Sequence, residues 1–446
     1  MPDGYVPSLR NNFQYGDGYA PNSFRYRSLT QRARSLVLLT RSPQTQRLGN
    51  HARSFAEPRS NYSVASPINR MKNFILATST LIGTIIGVGM FGLPYAASQA
   101  GWGLTLVYLV ALGAVVMLMH LIYGEIVLRT QAKHRLVGYA EVYLGRSGKF
   151  IGSIIFFVTL YLALLVYLII GGEFLSLILS GVWNISPTNG AMMVALLGFG
   201  VVFRGLKLTG ALEFVMAAGL IVLILGLAGY AFEFTQTESL SLLSPARDVF
   251  LPYGVILFAL AGGSAIPEIR NFFTGGRGGV LKTVIITGTL VPVLVYALFI
   301  TAVLSLSGQD TSPETLAGLT PILGPTGVKF GALMGFLAVI TSFFTIGLNI
   351  QNSFRLDFGL SKLLSRVLTA GVPVALFFYG YKNFINILSF TGAVLGGLEG
   401  LLLLWIWHRS RKKGTRNPEY QLKLNTGLIV LLALVFGVGI IYSFLY

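Results

Sequence analysis

The sequence predicts an all-α polytopic membrane protein of eleven spans, built as two matching halves of five with one helix left over. Three observations carry this. The 446-residue chain is 54% apolar and only 11% charged, with a mean hydropathy of +0.70, whereas a soluble domain carries about 25% charged residues. Apolar runs long enough to cross hydrocarbon follow one another from residue 73 to the C-terminus. Two of these runs, five apart, are interrupted at mid-depth by glycines with a proline close behind.

Residues 1–70 differ from everything after them. They are rich in Arg, Ser, Asn, Gln and Tyr, and with Lys72 they hold eleven basic residues against Asp3, Asp17 and Glu57. A segment this poor in apolar runs cannot offset the entropy of ordering, so a disordered basic tail is expected. Three readings of it stand: a solvated arm touching anionic lipid, an Arg- and Ser-rich transit segment, or a stretch preceding a natural start at Met71.

The membrane domain is expected over 71–446, with spans at 73–99, 104–128, 150–180, 190–203, 210–232, 249–273, 280–306, 327–354, 363–381, 384–408 and 424–445. Repeat one covers about 73–232, repeat two about 249–408, and the extra helix 424–445. Continuous apolar runs do not suit the alternating strands of a barrel. The segment from Val137 to Leu144 reads as a short amphipathic helix between spans 2 and 3.

Basic residues set the orientation. With the tail inside and loops assigned alternately, thirty Lys and Arg fall on the inner side and three, Arg247, Lys329 and Lys382, on the outer side. This predicts an N-terminus in the cytoplasm and a C-terminus outside, in the plasma membrane. It also accounts for the net charge of +17 as a topology signal, so no nucleic-acid partner is expected. The chain has no cysteine and four scattered histidines. It contains no HExxH, GxxxxGK[ST] or GxSxG pattern, so no catalytic residue, metalloenzyme site or nucleotide site is expected.

The first interruption reads GTIIGVGMFGLP, from Gly83 to Pro94; the second reads ALAGGSAIPE, from Ala259 to Glu268. Glycine permits close approach and unusual dihedrals, and proline suits the first turn of a restarted helix. Non-helical backbone inside a bilayer is tolerated only where it is buried or lines a cavity. Paired breaks in matching halves therefore mark a central site between inverted repeats. Each break frees N–H groups, which suit a carboxylate, and C=O groups, which suit an ammonium. Gly87, Val88 and Gly89, with Ala261, Gly262 and Gly263, are thus expected to hold the main chain of an amino acid, and Phe258 and Ser264 to line its side-chain pocket. Tyr161 and Tyr167 are weaker candidates for lining or gating, against the ordinary packing role of membrane aromatics.

The runs GTIIGVGMFGLPYAASQAG and LPYGVILFALAGGSAIPEIR resemble the amino acid/polyamine/organocation superfamily, in its amino acid/auxin permease or hydroxy/aromatic amino acid permease branches. The resemblance covers about residues 71–446. It implies a LeuT-type 5+5 inverted repeat with discontinuous helices 1 and 6 plus an eleventh helix. It also implies an ion site: Gly83 and Ile86 in span 1, with Ala338, Thr341 and Ser342 in span 8, match the positions that hold sodium in coupled relatives. The competing reading is that the two hydroxyls bond back to their own helix. The helix-5 lysine that replaces the cation in some proton-driven members has no counterpart between Gly210 and Phe232.

Acids inside a bilayer are functional candidates by default. Glu125 has Arg129 four residues on, a favourable helical pair that favours a structural role. Glu173, beside Gly171 and Gly172, is open to a gating role or a packing bond, and Glu399, flanked by glycines, to bridging helices. Glu268, directly after the second break, is the first choice for coupling or gating. The expectation is a secondary active amino-acid transporter working by alternating access, with H+ or Na+ as coupling ion, no cofactor, and amino acid and membrane lipid as partners. The alternatives are an amino-acid-binding membrane sensor without net transport, or a permease for another small organic cation or zwitterion.

Overall fold

A computed structural model describes residues 67–204, 210–234, 240–241, 248–273 and 279–445. The predicted tail up to residue 66, and the loop residues Lys207, Arg247 and Arg277 used in the charge argument, lie outside the described residues. Fourteen α-helices are described: α1 Pro67–Ile85, α2 Leu93–Ala100, α3 Trp102–Arg129, α4 Leu136–Leu179, α5 Pro187–Arg204, α6 Gly210–Phe234, α7 Leu251–Ala259, α8 Ile266–Ile269, α9 Gly279–Ser307, α10 Thr320–Asn352, α11 Lys362–Tyr379, α12 Phe384–Phe390, α13 Gly397–Lys413 and α14 Thr426–Leu445. Among the described residues, ten helical runs are long and apolar enough to cross a membrane. The pair formed by α1 and the segment Val88–Ala100, bent by 44°, makes the eleventh. The predicted spans and the observed ones correspond one to one, with boundaries shifted by a few residues. The largest shift is in the third, where the helix begins at Leu136 because the amphipathic segment before it is continuous with the span.

Both predicted breaks are present. The first leaves helical geometry after Ile85 and passes through a 3₁₀ turn, Val88–Gly92, before Pro94 opens the first turn of α2. The second ends α7 at Ala259, crosses Leu260–Gly262, and restarts through Gly263–Ala265 with Pro267 in the first turn of α8. Proline sits where a missing N–H costs nothing. The amphipathic segment expected at 137–144 is the first part of α4, ended by Gly145 at φ +76°, a dihedral that an L side chain resists.

Two groups of helices pack around the breaks. α1 and α3 each contact α8 and α9, while α4, α5, α10 and α11 form a second group. α12 and α13 are joined by a π turn over Thr391–Gly396, which packs on α7. This span carries Gly392 against α7 and Trp407 against Glu125 near the Arg129 end of α3.

The Arg129 end of α3 is fixed by one carboxylate. Glu125 is fully buried and pairs with Arg129 at 2.7 Å. It also accepts from Trp407 Nε1 at 3.0 Å and Leu422 N at 2.9 Å. Nearby, Tyr420 donates to Leu121 O. Glu125 thus ties α3, α13 and the loop before α14 together. All of its bonds are structural, as the pairing with Arg129 predicts.

Candidate functional site

The breaks face each other and do so reciprocally. Ile85, the last residue of α1, lies against Gly262 of the second break; Ala259, the last residue of α7, lies against Gly89 of the first. A Cβ built on Gly262 would come within 2.5 Å of Ile85 Cγ1, and one on Gly89 within 2.7 Å of Ala259 Cα. Only glycine allows either approach.

Tyr296 of α9 joins the two ends. Its buried hydroxyl lies 2.7 Å from Ile85 O and 3.0 Å from Ala259 O. These are the final residues of the two first half-helices, whose carbonyls lack an ordinary intrahelical partner. One phenol O–H, shared between them, therefore answers the unpaired acceptors of both breaks. Sequence reasoning missed Tyr296. It is one aromatic among many in apolar spans, and its partners are 211 and 37 positions away. Tyr296→Phe is expected to strand one or both carbonyls at a cost of about 1–3 kcal/mol, lowering the melting temperature and slowing uptake. A variant equal to the parent in both would show that the carbonyls find other donors.

The predicted main-chain ligands divide by environment. Val88, Gly89 and Gly262 are buried in the contact between the breaks. Gly87 is partly open, and a Cβ built on it would meet nothing within 4 Å. Ala261 and Ser264 are exposed, Gly263 and Phe258 are half-buried, and Glu268 continues the exposed stripe along α8. Gly87, Ala261 and Ser264 are thus the least enclosed residues of the two breaks. Aromatics pack on the first break. Phe91 is buried, with its ring 4.8 Å from Phe174 and 6.3 Å from Phe299, and its carbonyl accepts from Thr315 in the loop before α10.

The candidate ion-site residues come from the first broken span and α10. α10 packs on Val88–Gly92, Ala338 and Thr341 are buried, and Gly83 and Ser342 are half-buried. The Thr341 hydroxyl donates to Ala338 O at 2.9 Å, the back-bonding that competes with cation coordination.

The remaining candidates are placed as follows. Glu268 forms an ion pair with Arg135 at 3.1 Å, both side chains more than half exposed. Arg135 also donates to Asn349 of α10 at 2.7 Å, so this cluster links α8, the start of α4 and the end of α10. Tyr161 donates to Leu368 O of α11, away from the breaks. His120 bonds Thr289 at 3.0 Å as a packed residue. Glu399 of α13 faces Gly263: a Cβ there would lie 3.5 Å from its Oε1 and 3.6 Å from the Tyr123 ring. Among the described residues, no group of three or more His, Cys, Asp or Glu side chains is placed to hold a metal ion.

Two broken helices meeting at the centre of a helical bundle define the LeuT-type fold of membrane transporters. The solved structure of MhsT in complex with L-phenylalanine has this architecture; it aligns with a TM-score of 0.58 at 17% identity, covering 84% of this chain and 97% of that one. The chain belongs to the tryptophan/tyrosine permease family, whose profile matches residues 70–443. It is therefore a permease of the amino acid/polyamine/organocation superfamily, an integral membrane transporter of small organic solutes and not an enzyme. Its relatives include tyrosine-specific transport system 1 of Haemophilus influenzae, 25% identical over 82% of this chain and 95% of that protein. Glutamine transporter 2 of Aliivibrio fischeri is 22% identical over 83% of this chain and 99% of that protein.

Proposed function

We propose that this permease is a secondary active amino-acid transporter, driven by a proton or sodium gradient. The substrate's carboxylate and ammonium are held by backbone groups of the two breaks. The observation that carries this is the contact between the two interruptions, Gly262 against Ile85 and Gly89 against Ala259, beside a Gly87 on which a Cβ would meet nothing within 4 Å. A zwitterion needs a donor set and an acceptor set side by side, and freed helix ends supply both. The relatives named for tyrosine and for glutamine support an amino acid, with the side-chain pocket near Phe258 and Ser264 setting the choice.

The arrangement fits the form of an alternating-access cycle that opens toward the inner face. The exposed stripe Ala261, Ser264 and Glu268 leads away from the breaks, and the Phe91 cluster closes the opposite side. We assign that open side to the cytoplasm, with the N-terminus inside and the C-terminus outside the plasma membrane, on the distribution of basic residues. The basic tail is assigned to the same side. Arg135 and Glu268 act as a latch at the mouth. An exposed ion pair is worth about 1 kcal/mol or less, which suits a contact made and broken in each cycle. Glu268→Gln is therefore expected to change initial uptake rates by no more than about fivefold. Complete loss of transport in a folded variant would overturn the latch.

The direct test is uptake of labelled amino-acid mixtures into proteoliposomes with sodium and pH gradients varied separately. Accumulation of at least one amino acid against its gradient is expected. Binding without flux would favour a sensor instead.

A further inference from the structure

We infer that Glu399, and not the acid beside the second break in sequence, is the proton-carrying residue of this permease, binding H+ directly against Gly263. The inference rests on the transport reading above.

Three observations converge on Glu399. It lies within the apolar part of its span, and among the described residues no hydrogen bond or ion pair reaches its carboxylate. The other acid in that neighbourhood already has a partner, since Arg135 balances Glu268. Its place is also special: Oε1 and the Tyr123 ring together border the Cα face of Gly263, at the open edge of the second break. Half-buried, it can be reached by water when the mouth is open and sealed when it is shut.

Its surroundings supply no fixed counter-charge. From α3 the phenol of Tyr123 faces it; further along the same helix His120 is bonded to Thr289, and Glu125 is held by Arg129. From α4 the ring of Tyr139 stands edge-on behind Tyr123, and Arg135 is committed to Glu268 and Asn349. α14 offers Phe436 and Ile440 to the glycines on either side of it. The π turn before α13 carries no titratable group.

An uncompensated carboxylate is too costly to keep ionised in a dry interior, so it takes a proton when the site closes and returns it when water enters. In each cycle one carboxylate oxygen binds one H+ from the outer solution, and the O–H bond breaks to release that H+ inside. Adjacency to Gly263 gives the reason for coupling. The backbone that would hold the solute and the carboxyl that holds the proton share one surface, so closing over one closes over the other.

The test uses the full chain in proteoliposomes with the voltage clamped at zero and a one-unit pH gradient, acid outside. One proton per amino acid then sets an accumulation ratio of about tenfold. Glu399→Gln is expected to reduce this to about one, the value for uncoupled exchange, while counterflow of labelled against unlabelled amino acid at equal pH persists. Glu399→Asp is expected to restore part of the pH-driven accumulation. Melting temperature in detergent confirms that each variant is folded. Accumulation by Glu399→Gln equal to wild type would overturn the inference, as would wild-type accumulation that ignores pH and follows sodium alone. Loss of counterflow together with accumulation in a folded Glu399→Gln variant would overturn it too, marking a binding residue. These outcomes are distinct from failure of the transport reading, in which wild type itself moves no amino acid.

Discussion

Gly89→Ala is expected to abolish uptake while the protein still inserts and purifies. The added methyl would lie 2.7 Å from Ala259 Cα and 3.0 Å from Phe258 Cδ1. The first of these is backbone, at the end of a helix whose carbonyl is shared with Tyr296, so it has no rotamer by which to yield. Overpacking of this kind costs about 1–3 kcal/mol, which a large bundle survives. Function does not, because relief requires the two breaks to part, and parting separates the donor and acceptor ends that must face the solute together. Gly87 makes an informative companion. A Cβ there meets nothing, so Gly87→Ala should leave stability almost unchanged and act by filling the space assigned to solute. Radiolabelled uptake alongside thermal melting separates the two cases. A Gly89→Ala variant that transports at the parental rate would show that the breaks are not held at contact distance.

The second large effect concerns folding. Glu125→Ala is expected to destabilise the protein by about 3–5 kcal/mol, the usual consequence of removing one member of a buried ion pair. Arg129 loses its counter-charge, and Trp407 Nε1 and Leu422 N lose their acceptor in the same step. Because those donors come from three segments, the loss should loosen the C-terminal ends of α3 and α13 and the loop before α14 together. The check is yield and melting temperature in detergent, which should fall sharply. Glu125→Gln should fall less, since the amide retains an acceptor oxygen. A melting temperature unchanged in Glu125→Ala would refute the clamp.

Much of this architecture is legible in the sequence because bilayers constrain backbone strongly. Apolar runs mark the spans, and the sequence pairs of glycine and proline mark both breaks within a residue or two of where helical geometry is lost. Glu125 is legible as structural because its partner sits one helical turn away. Gly145 ends the short helix near the position that composition suggests. What stays hidden depends on contacts between distant segments. Nothing local in α9 announces that Tyr296 reaches both breaks. Glu268, next to the second break in sequence, pairs with Arg135 of a distant segment, and Glu399 reaches Gly263 from another span; neither contact has a local signal. Thr341 illustrates a different gap: a hydroxyl in a matching motif can turn either to an ion or to its own helix, and only its rotamer distinguishes these.

The central claim is that an amino acid sits between the two interrupted helices. The natural chain has no cysteine, so one introduced thiol can report on this place alone. Ala261→Cys puts it at the exposed edge of the second break. The decisive measurement is its rate of modification by a small hydrophilic thiol reagent, with and without a saturating transported amino acid, in a variant that still takes up that amino acid. Substrate is predicted to slow the reaction markedly. A rate untouched by substrate, in protein that still transports it, would contradict the account.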